Sequence, residues 1–146
     1  MARSAGAWLT WDSATAERST HSYVLSNGDR TVTREGSGRF CMPVIIAAAH
    51  LPTSGVHRLR FSHTSGGSPY THVGVVVLPG GLAEVRRFCR ANDYGMSFGV
   101  CPFLTVPAAA TMAVVYDADA GTIALGDEAP KDLPRGLVWP AAAINW

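Results

Sequence analysis

Charged side chains are scarce in this sequence of 146 residues. Asp, Glu, Lys and Arg together make up 16% of it, whereas globular chains usually carry about 25%. The formal net charge is only +1, which gives no general reason to bind nucleic acid. Intrinsic disorder is excluded, because it requires high charge and low hydrophobicity and 47% of the residues are hydrophobic. The length predicts a single domain over residues 1–146.

Long apolar runs and a secretory signal are also missing. No stretch approaches the roughly 18 apolar residues of a transmembrane helix, and the first residues lack the apolar core of a signal peptide. The three cysteines, an odd number without a C-x-x-C pair, indicate a reducing compartment. We therefore expect an intracellular protein, cytoplasmic or nuclear, without a membrane partner. The Arg- and Ser-containing start leaves a mitochondrial location open.

The common catalytic and nucleotide-binding motifs are absent. The sequence contains no H-E-x-x-H, P-loop, G-x-S-x-G or G-x-G-x-x-G pattern. A cysteine–histidine nucleophile pair could be drawn from Cys41, Cys89 or Cys101 and the five histidines. These cysteines adjoin apolar residues, which favours buried, inert thiols. We predict no enzyme activity and no catalytic residue.

One string resembles a metal-binding loop. Asp117 and Asp119 are followed by Glu128 at the twelfth position, which partly matches a calcium-binding EF-hand. However, Gly121 and Thr122 occupy the fifth and sixth positions, where the EF-hand needs a ligand and a glycine. The preceding residues also have the pattern of a strand. We interpret the string as a hairpin turn and expect no metal or cofactor.

Segments in which apolar and polar residues alternate are abundant, and turn sequences separate them. Short segments rich in Val, Thr and aromatic residues lie between turn sequences, which is typical of an all-β sandwich or barrel. The predicted strands are Trp8–Trp11, His21–Ser26, Arg30–Glu35, Met42–Ala48, Val56–His63, Thr71–Leu78, Met96–Val100, Met112–Asp117, Thr122–Leu125 and Leu137–Trp146. We predict two antiparallel sheets in a bent sandwich, with at most one short helix near residues 82–91.

Three of these segments carry more specific predictions. Thr71–Leu78 is apolar on both faces and is predicted to be a central strand. Pro140 lacks an amide hydrogen, so it predicts an edge position or a strand start for the last segment. The Asn27-Gly28 pair predicts a tight hairpin turn, because both residues tolerate positive φ. The predicted core residues are Leu59, Phe61, Val73, Val75, Val77, Val114 and Tyr116.

The candidate binding residues are arginines, tyrosines and one asparagine. Tyr and Arg are the residue types that most often dominate the energy of protein interfaces. Lys131 is the single lysine among twelve basic residues, which leaves eleven arginines. Arginine suits planar recognition of carboxylates, although a GC-rich coding bias would give the same excess. The candidates are Tyr70, Arg86, Arg87, Arg90, Asn92 and Tyr94, followed by Arg58 and Arg60 on an outward strand face.

The order of several motifs resembles the strand order of the SPRY domain family. The matching segments are Trp8–Trp11, Leu25–Thr33, Ser54–Phe61 with its Ser-Gly-x-His pattern, Val73–Val75, Val115–Ile123 and Val138–Ala142. Together they cover about residues 8–146. The chain departs from the family where Leu59-Arg60 replaces a Trp-Glu pair and where Gly80–Ala91 has a helical pattern. It is therefore similar to a divergent, stand-alone member.

This resemblance implies a concanavalin-like sandwich and a function without catalysis. Members of the family bind proteins through loops at one end of the sandwich. We therefore expect an adaptor or a subunit of a larger assembly, with a protein as its direct partner and no nucleic-acid ligand. A lectin-like domain that binds carbohydrate or another small ligand is the alternative, followed by a cysteine-dependent enzyme.

Overall fold

The computed structural model describes residues 10–16, 23–34, 44–63, 71–78, 80–91, 103–106 and 111–144. Short strands dominate this part of the chain, and two helices accompany them. In chain order the elements are α1 (Ser13–Ala16), β1 (Tyr23–Ser26), β2 (Thr31–Arg34), β3 (Val44–Ile46), β4 (Val56–Ser62), β5 (Thr71–Leu78), α2 (Leu82–Ala91), β6 (Phe103–Val106), β7 (Thr111–Asp117), β8 (Thr122–Leu125), β9 (Lys131–Asp132) and β10 (Leu137–Ile144).

Two four-stranded antiparallel sheets pack face to face. We call the sheet of order β3-β10-β5-β6 the helix-covered sheet and the sheet of order β4-β7-β8-β9 the open sheet. Alternate side chains of a strand point to the same side, so each sheet presents an apolar face to the other. The shared core consists of Leu51, Leu59, Val75, Val77, Val114, Tyr116, Ile123, Leu125 and Val138. The predicted all-β, sandwich-like fold is confirmed. The predicted core residues that are buried are Leu59, Val73, Val75, Val77, Val114 and Tyr116, whereas Phe61 is only partly buried.

The helix-covered sheet is buried on its second face as well. That face carries Val44, Ile46, Val76, Trp139 and Ala141, against which Leu82 of α2 packs. This double burial explains the apolar sequence of β5, in which odd-numbered valines face the open sheet and Val76 faces the helix. Within the described residues, no helix is both long and apolar enough to cross a membrane.

The predicted Asn-Gly hairpin is confirmed at β1 and β2. Asn27, Gly28 and Asp29 have φ values of 55°, 66° and 62°, a region that glycine, asparagine and aspartate tolerate best. The hairpin forms a separate two-stranded sheet. It is fastened to the sandwich by the buried Tyr23, whose hydroxyl oxygen accepts a hydrogen bond from the amide of Ile144 at 3.1 Å.

The start of the chain differs from its prediction. Trp11 forms a single β-bridge with Ala47, and the chain then turns into α1, so a second short helix exists beside the predicted one. Trp8 lies outside the described residues, as does the predicted strand Met96–Val100. The structure also adds β6, which was not predicted and which pairs with the outer side of β5.

The prediction for Pro140 is wrong. β10 lies between β3 and β5 and is therefore an inner strand. Pro140 stands opposite Ala47, immediately after β3 ends, and its carbonyl accepts the amide of Ala47 at 2.8 Å. The amide and the carbonyl of one strand residue point to the same side. The missing amide hydrogen therefore falls where the β3 ladder ends, and the pairing with β5 continues over Leu137–Ile144.

Candidate functional site

The structure places four of the eight candidate residues completely. Tyr70, Asn92 and Tyr94 lie outside the described residues. Arg90 belongs to α2, but only its backbone is described. The residues that can be placed with their side chains are Arg58, Arg60, Arg86 and Arg87.

Arg86 is held by a buried carboxylate. Its Nε donates to Asp12 Oδ2 at 3.1 Å and a terminal nitrogen donates to Oδ1 at 2.7 Å. The Asp12 side chain is 5% exposed and that of Arg86 is 36% exposed. This bidentate hydrogen bonding, opposed by partial burial and reinforced by the charge of Asp12, raises the pKa of Arg86. A partner would have to compete with Asp12 for this guanidinium, so we place Arg86 outside the candidate surface.

The same carboxylate organises the turn that covers β3. Asp12 Oδ2 also accepts the amide of Thr15 at 3.1 Å, which is the contact of a helix N-cap. The amide of Asp12 donates to the carbonyl of Ile46 at 2.8 Å, and Thr15 Oγ1 accepts the amide of Ile46 at 3.4 Å. The outer edge of β3 therefore has main-chain and side-chain partners from residues 10–15.

Arg58 and Arg60 lie on the outer face of the open sheet. Successive side chains of a strand point to opposite faces. Leu59, between the two arginines, is therefore buried and 4% exposed, whereas both arginines are exposed, as predicted from the sequence. They are neighbours on one face, about 7 Å apart along the strand. No carboxylate of the described residues forms an ion pair with either of them. Their charges are therefore available at the surface of this part of the molecule.

Small side chains stand directly opposite the two arginines on the neighbouring strand. Arg58 stands opposite Val115 of β7, which in turn stands opposite Ala124 of β8. Arg60 stands opposite Ala113. Short neighbours leave the guanidinium groups room to reorient and place a shallow apolar surface beside them. We define Arg58, Arg60, Ala113, Val115 and Ala124 as the arginine face.

Arg87 lies on the other side of the sandwich. It is exposed on α2, and α2 covers the helix-covered sheet on the face that points away from the open sheet. The arginine face points away from the helix-covered sheet. The sequence-predicted arginines therefore do not form one surface, and a small partner cannot contact both sets at once.

The calcium-like string forms the predicted hairpin between β7 and β8. Asp117 Oδ1 accepts the amide of Ala120 at 2.9 Å, and Asp119 Oδ1 accepts the amide of Gly55 at 3.2 Å. Glu128 instead pairs with Lys131 at 2.9 Å. These carboxylates therefore tie loops together. In the described segments, no group of three or more His, Cys, Asp or Glu residues is arranged to hold a metal ion.

His57 belongs to the same end of the sandwich. Its Nε2 donates to the carbonyl of Ser54 at 2.6 Å, and its ring stacks on Tyr116 with 6.3 Å between centroids. Burial, followed by the charge of Asp117, raises the pKa of Tyr116. The imidazole of His57 is therefore held in place by a main-chain hydrogen bond and by stacking on Tyr116.

The cysteine hypothesis cannot be placed in the fold. Cys41 and Cys101 lie outside the described residues, and only the backbone of Cys89 is described, within α2. The predicted burial of these thiols therefore stays a prediction, and the cysteine–histidine pair stays its alternative.

Sequence reasoning missed the role of Asp12. A local signal was present, because Asp followed three residues later by Thr is compatible with an N-cap and a first helical turn. Its pairing with Arg86 spans 74 positions of the chain, and no sequence spacing indicates such a contact.

Comparison with known proteins adds no family assignment. No model of a known protein family matches the chain, and no curated protein matches it either.

Proposed function

We propose that this chain is a non-enzymatic protein-binding module, an adaptor or subunit of a larger assembly, and that it binds its partner through the arginine face. The observation that carries the proposal is the pair Arg58 and Arg60, exposed side by side without a carboxylate partner among the described residues. The SPRY-like order of the strand motifs supports the same class of function.

The chemistry of this face suits a protein that presents carboxylates. A guanidinium donates two parallel hydrogen bonds to one carboxylate, which gives geometric specificity as well as attraction. The apolar surface of Val115 and Ala113 beside the arginines provides area from which water can be excluded, and exclusion of water strengthens the charged contacts. The loop candidates Tyr70, Asn92 and Tyr94 remain predictions of additional contacts.

The proposal is tested by affinity purification from the native cell after chemical crosslinking, with quantitative mass spectrometry. The test variant is Arg58→Glu/Arg60→Glu. The matched control is Arg30→Glu/Arg135→Glu, which makes the same change in net charge at two other exposed arginines. We expect the test variant to lose its partners by about tenfold or more and the control to keep them.

Two results would contradict the proposal in different ways. Partners that are retained by the test variant would place the interface elsewhere, and Arg87→Glu would then examine the face that carries α2. If the wild-type chain enriches no protein above a crosslinked blank, the protein-binding function itself is wrong. Circular dichroism and urea unfolding of both variants exclude loss of fold as the cause.

A further inference from the structure

The free side of β4 lies next to the arginine face. β4 is the end strand of the open sheet, and no described strand pairs with it on the side away from β7. It is seven residues long. Such an end strand presents a row of unpaired amides and carbonyls, which is a template for another strand.

The register identifies which residues present these groups. The amide of Ala118 donates to the carbonyl of Gly55 at 2.8 Å, so the main chain of Gly55 points toward β7. Because this direction alternates along an antiparallel strand, the residues whose main chain points away from β7 are Val56, Arg58, Arg60 and Ser62. The same four residues direct their side chains to the exposed outer face. An added strand could therefore bond to the main chain of β4 and contact both arginine side chains at the same time.

The side chains define what an added strand must carry. In antiparallel pairing, residues directly opposite each other lie on the same face of the sheet. Acidic residues are therefore favoured in the added strand at the two positions opposite Arg58 and Arg60. The residue between them lies on the inner side, at the rim of the core beside Leu59 and the half-exposed Phe61, and is favoured when it is apolar.

A second copy of this chain is a poor occupant. If two β4 strands paired antiparallel about Leu59, each Arg58 would stand opposite the partner copy's arginine at position 60. Like charges directly opposite one another destabilise a strand pair. Charged side chains on an end strand are a known protection against self-association, and here they also select the charge of the strand that can be added.

We propose that β4 accepts an extended segment of a partner protein as an additional antiparallel strand, in which acidic residues alternate with apolar ones. The acidic residues pair with Arg58 and Arg60, and their main-chain groups bond to the outward-pointing groups of β4. This inference rests on the proposed function and specifies the partner: an acidic, extended peptide segment at the edge of the arginine face.

The first experiment uses a fluorescein-labelled heptapeptide of alternating glutamate and valine, with glutamate at both ends, and the full chain. Fluorescence anisotropy measures the dissociation constant. We expect binding below about 1 mM, a loss of about tenfold or more with Arg58→Glu/Arg60→Glu, and little change with Arg30→Glu/Arg135→Glu. A peptide with lysine in place of glutamate should not bind.

Two N-methylated forms of the peptide separate strand addition from simple charge attraction. Both keep the charge and the side chains. In antiparallel pairing only the glutamate amides face β4, so methylation of the glutamate amides should abolish binding and methylation of the valine amides should preserve it. Equal binding of both forms would overturn strand addition. Loss confined to the valine-methylated form would overturn the antiparallel arrangement.

A substitution in β4 examines the same contact from the protein side. Ser62→Pro removes one outward amide hydrogen, whereas Ser62→Ala removes the same hydroxyl, which contacts Thr111 Oγ1 at 3.1 Å, and keeps the amide. Proline is tolerated on an end strand where its amide would face outward. We expect peptide binding to weaken about three- to tenfold with Ser62→Pro only. Equal effects of the two variants would contradict main-chain pairing.

The outcomes distinguish this inference from the proposed function. If crosslinked partners depend on Arg58 and Arg60 but neither N-methylation nor Ser62→Pro affects peptide binding, the arginine face binds protein without strand addition. If no peptide binds below about 1 mM, the inference is wrong whatever the partners are. A concentration-dependent dimer in light scattering that Ser62→Pro abolishes would show that a second copy occupies β4 and would also overturn it.

Discussion

The two sheets of this sandwich share one core but differ in the burial of their outer faces and in the partners of their edge strands. The helix-covered sheet is buried on both faces, and its β3 edge is bonded to residues 10–15. The open sheet is buried on one face only, and its β4 edge has no partner among the described strands. Arginine occurs in both regions. On the helix side Arg86 is fixed by Asp12, whereas Arg58 and Arg60 are exposed.

This difference separates an arginine that holds the fold from the two arginines that we propose for binding. A guanidinium committed to a buried carboxylate contributes to the position of α1 and α2, and its removal should act on stability. An exposed guanidinium without an internal partner contributes little to stability, so its removal should act on binding. The comparison therefore predicts a different measurement for each arginine.

The largest effect should come from breaking the ion pair of the helix-covered side. Arg86→Met leaves the Asp12 carboxylate buried without its counter-charge, which typically costs about 3–5 kcal/mol. Because Arg86 is 36% exposed, water can relieve part of this penalty, and we expect a loss of about 2–3 kcal/mol in the free energy of unfolding. Urea unfolding followed by circular dichroism measures it.

A double variant checks the cause. Asp12→Asn retains an N-cap acceptor for the amide of Thr15 and removes the buried charge. Asp12→Asn/Arg86→Met should therefore be more stable than Arg86→Met alone. If the loss of unfolding free energy in the double variant equals the sum of the two single losses, the two side chains do not interact energetically. The ion pair would then not be what stabilises the helix-covered side.

The next largest effect should come from a Val→Ala substitution, which can be made on the outer face of each sheet. Val76→Ala removes two methyl groups under α2, where the residue is 0% exposed, and should cost about 2 kcal/mol because a cavity remains. Val115→Ala makes the same change on the half-exposed outer face of the open sheet and should cost about 0.5 kcal/mol. Denaturant unfolding of both variants gives the difference. Equal losses of unfolding free energy would mean that Val115 is buried to the same extent as Val76, and that the outer face of the open sheet is covered too.

Much of this fold could be predicted from local patterns. The bounds of β5, β8 and α2 coincide with the predicted ones, because dense β-branched residues and a helical apolar stripe identify a segment without reference to its neighbours. The alternation around Leu59 likewise predicted that Arg58 and Arg60 face outward. Such features depend on residues within one element.

What could not be predicted depends on which elements become neighbours. Pro140 is compatible with an inner strand only because β3 ends opposite it, and the sequence does not state where a partner strand ends. Arg86 was predicted to be a binding residue, because nothing local in the sequence indicates its pairing with Asp12, 74 positions away. That β4 is an end strand among the described strands follows from the strand order of the open sheet, which no local pattern specifies.

The smallest effect should be a pH dependence that arises on the helix-covered side. His72 lies in β5 and shares a face with Val76, and burial lowers its pKa below the ordinary value of 6.5. The unfolded chain therefore binds this proton more tightly than the folded chain. The free energy of unfolding should rise with pH from the lowered pKa through 6.5 and level off above that value, as the unfolded chain loses this proton.

His72→Asn isolates this contribution, because the rest of the chain is the same in both proteins and cancels in the difference. The two unfolding free energies are measured from pH 5 to 8, about the range in which histidine titrates. They should differ by an amount that changes with pH up to 6.5 and levels off above that value. A difference that is constant over the whole range would reflect lost packing or hydrogen bonding alone. It would then follow that the folded chain accepts a charged imidazole at position 72 as readily as the unfolded chain does.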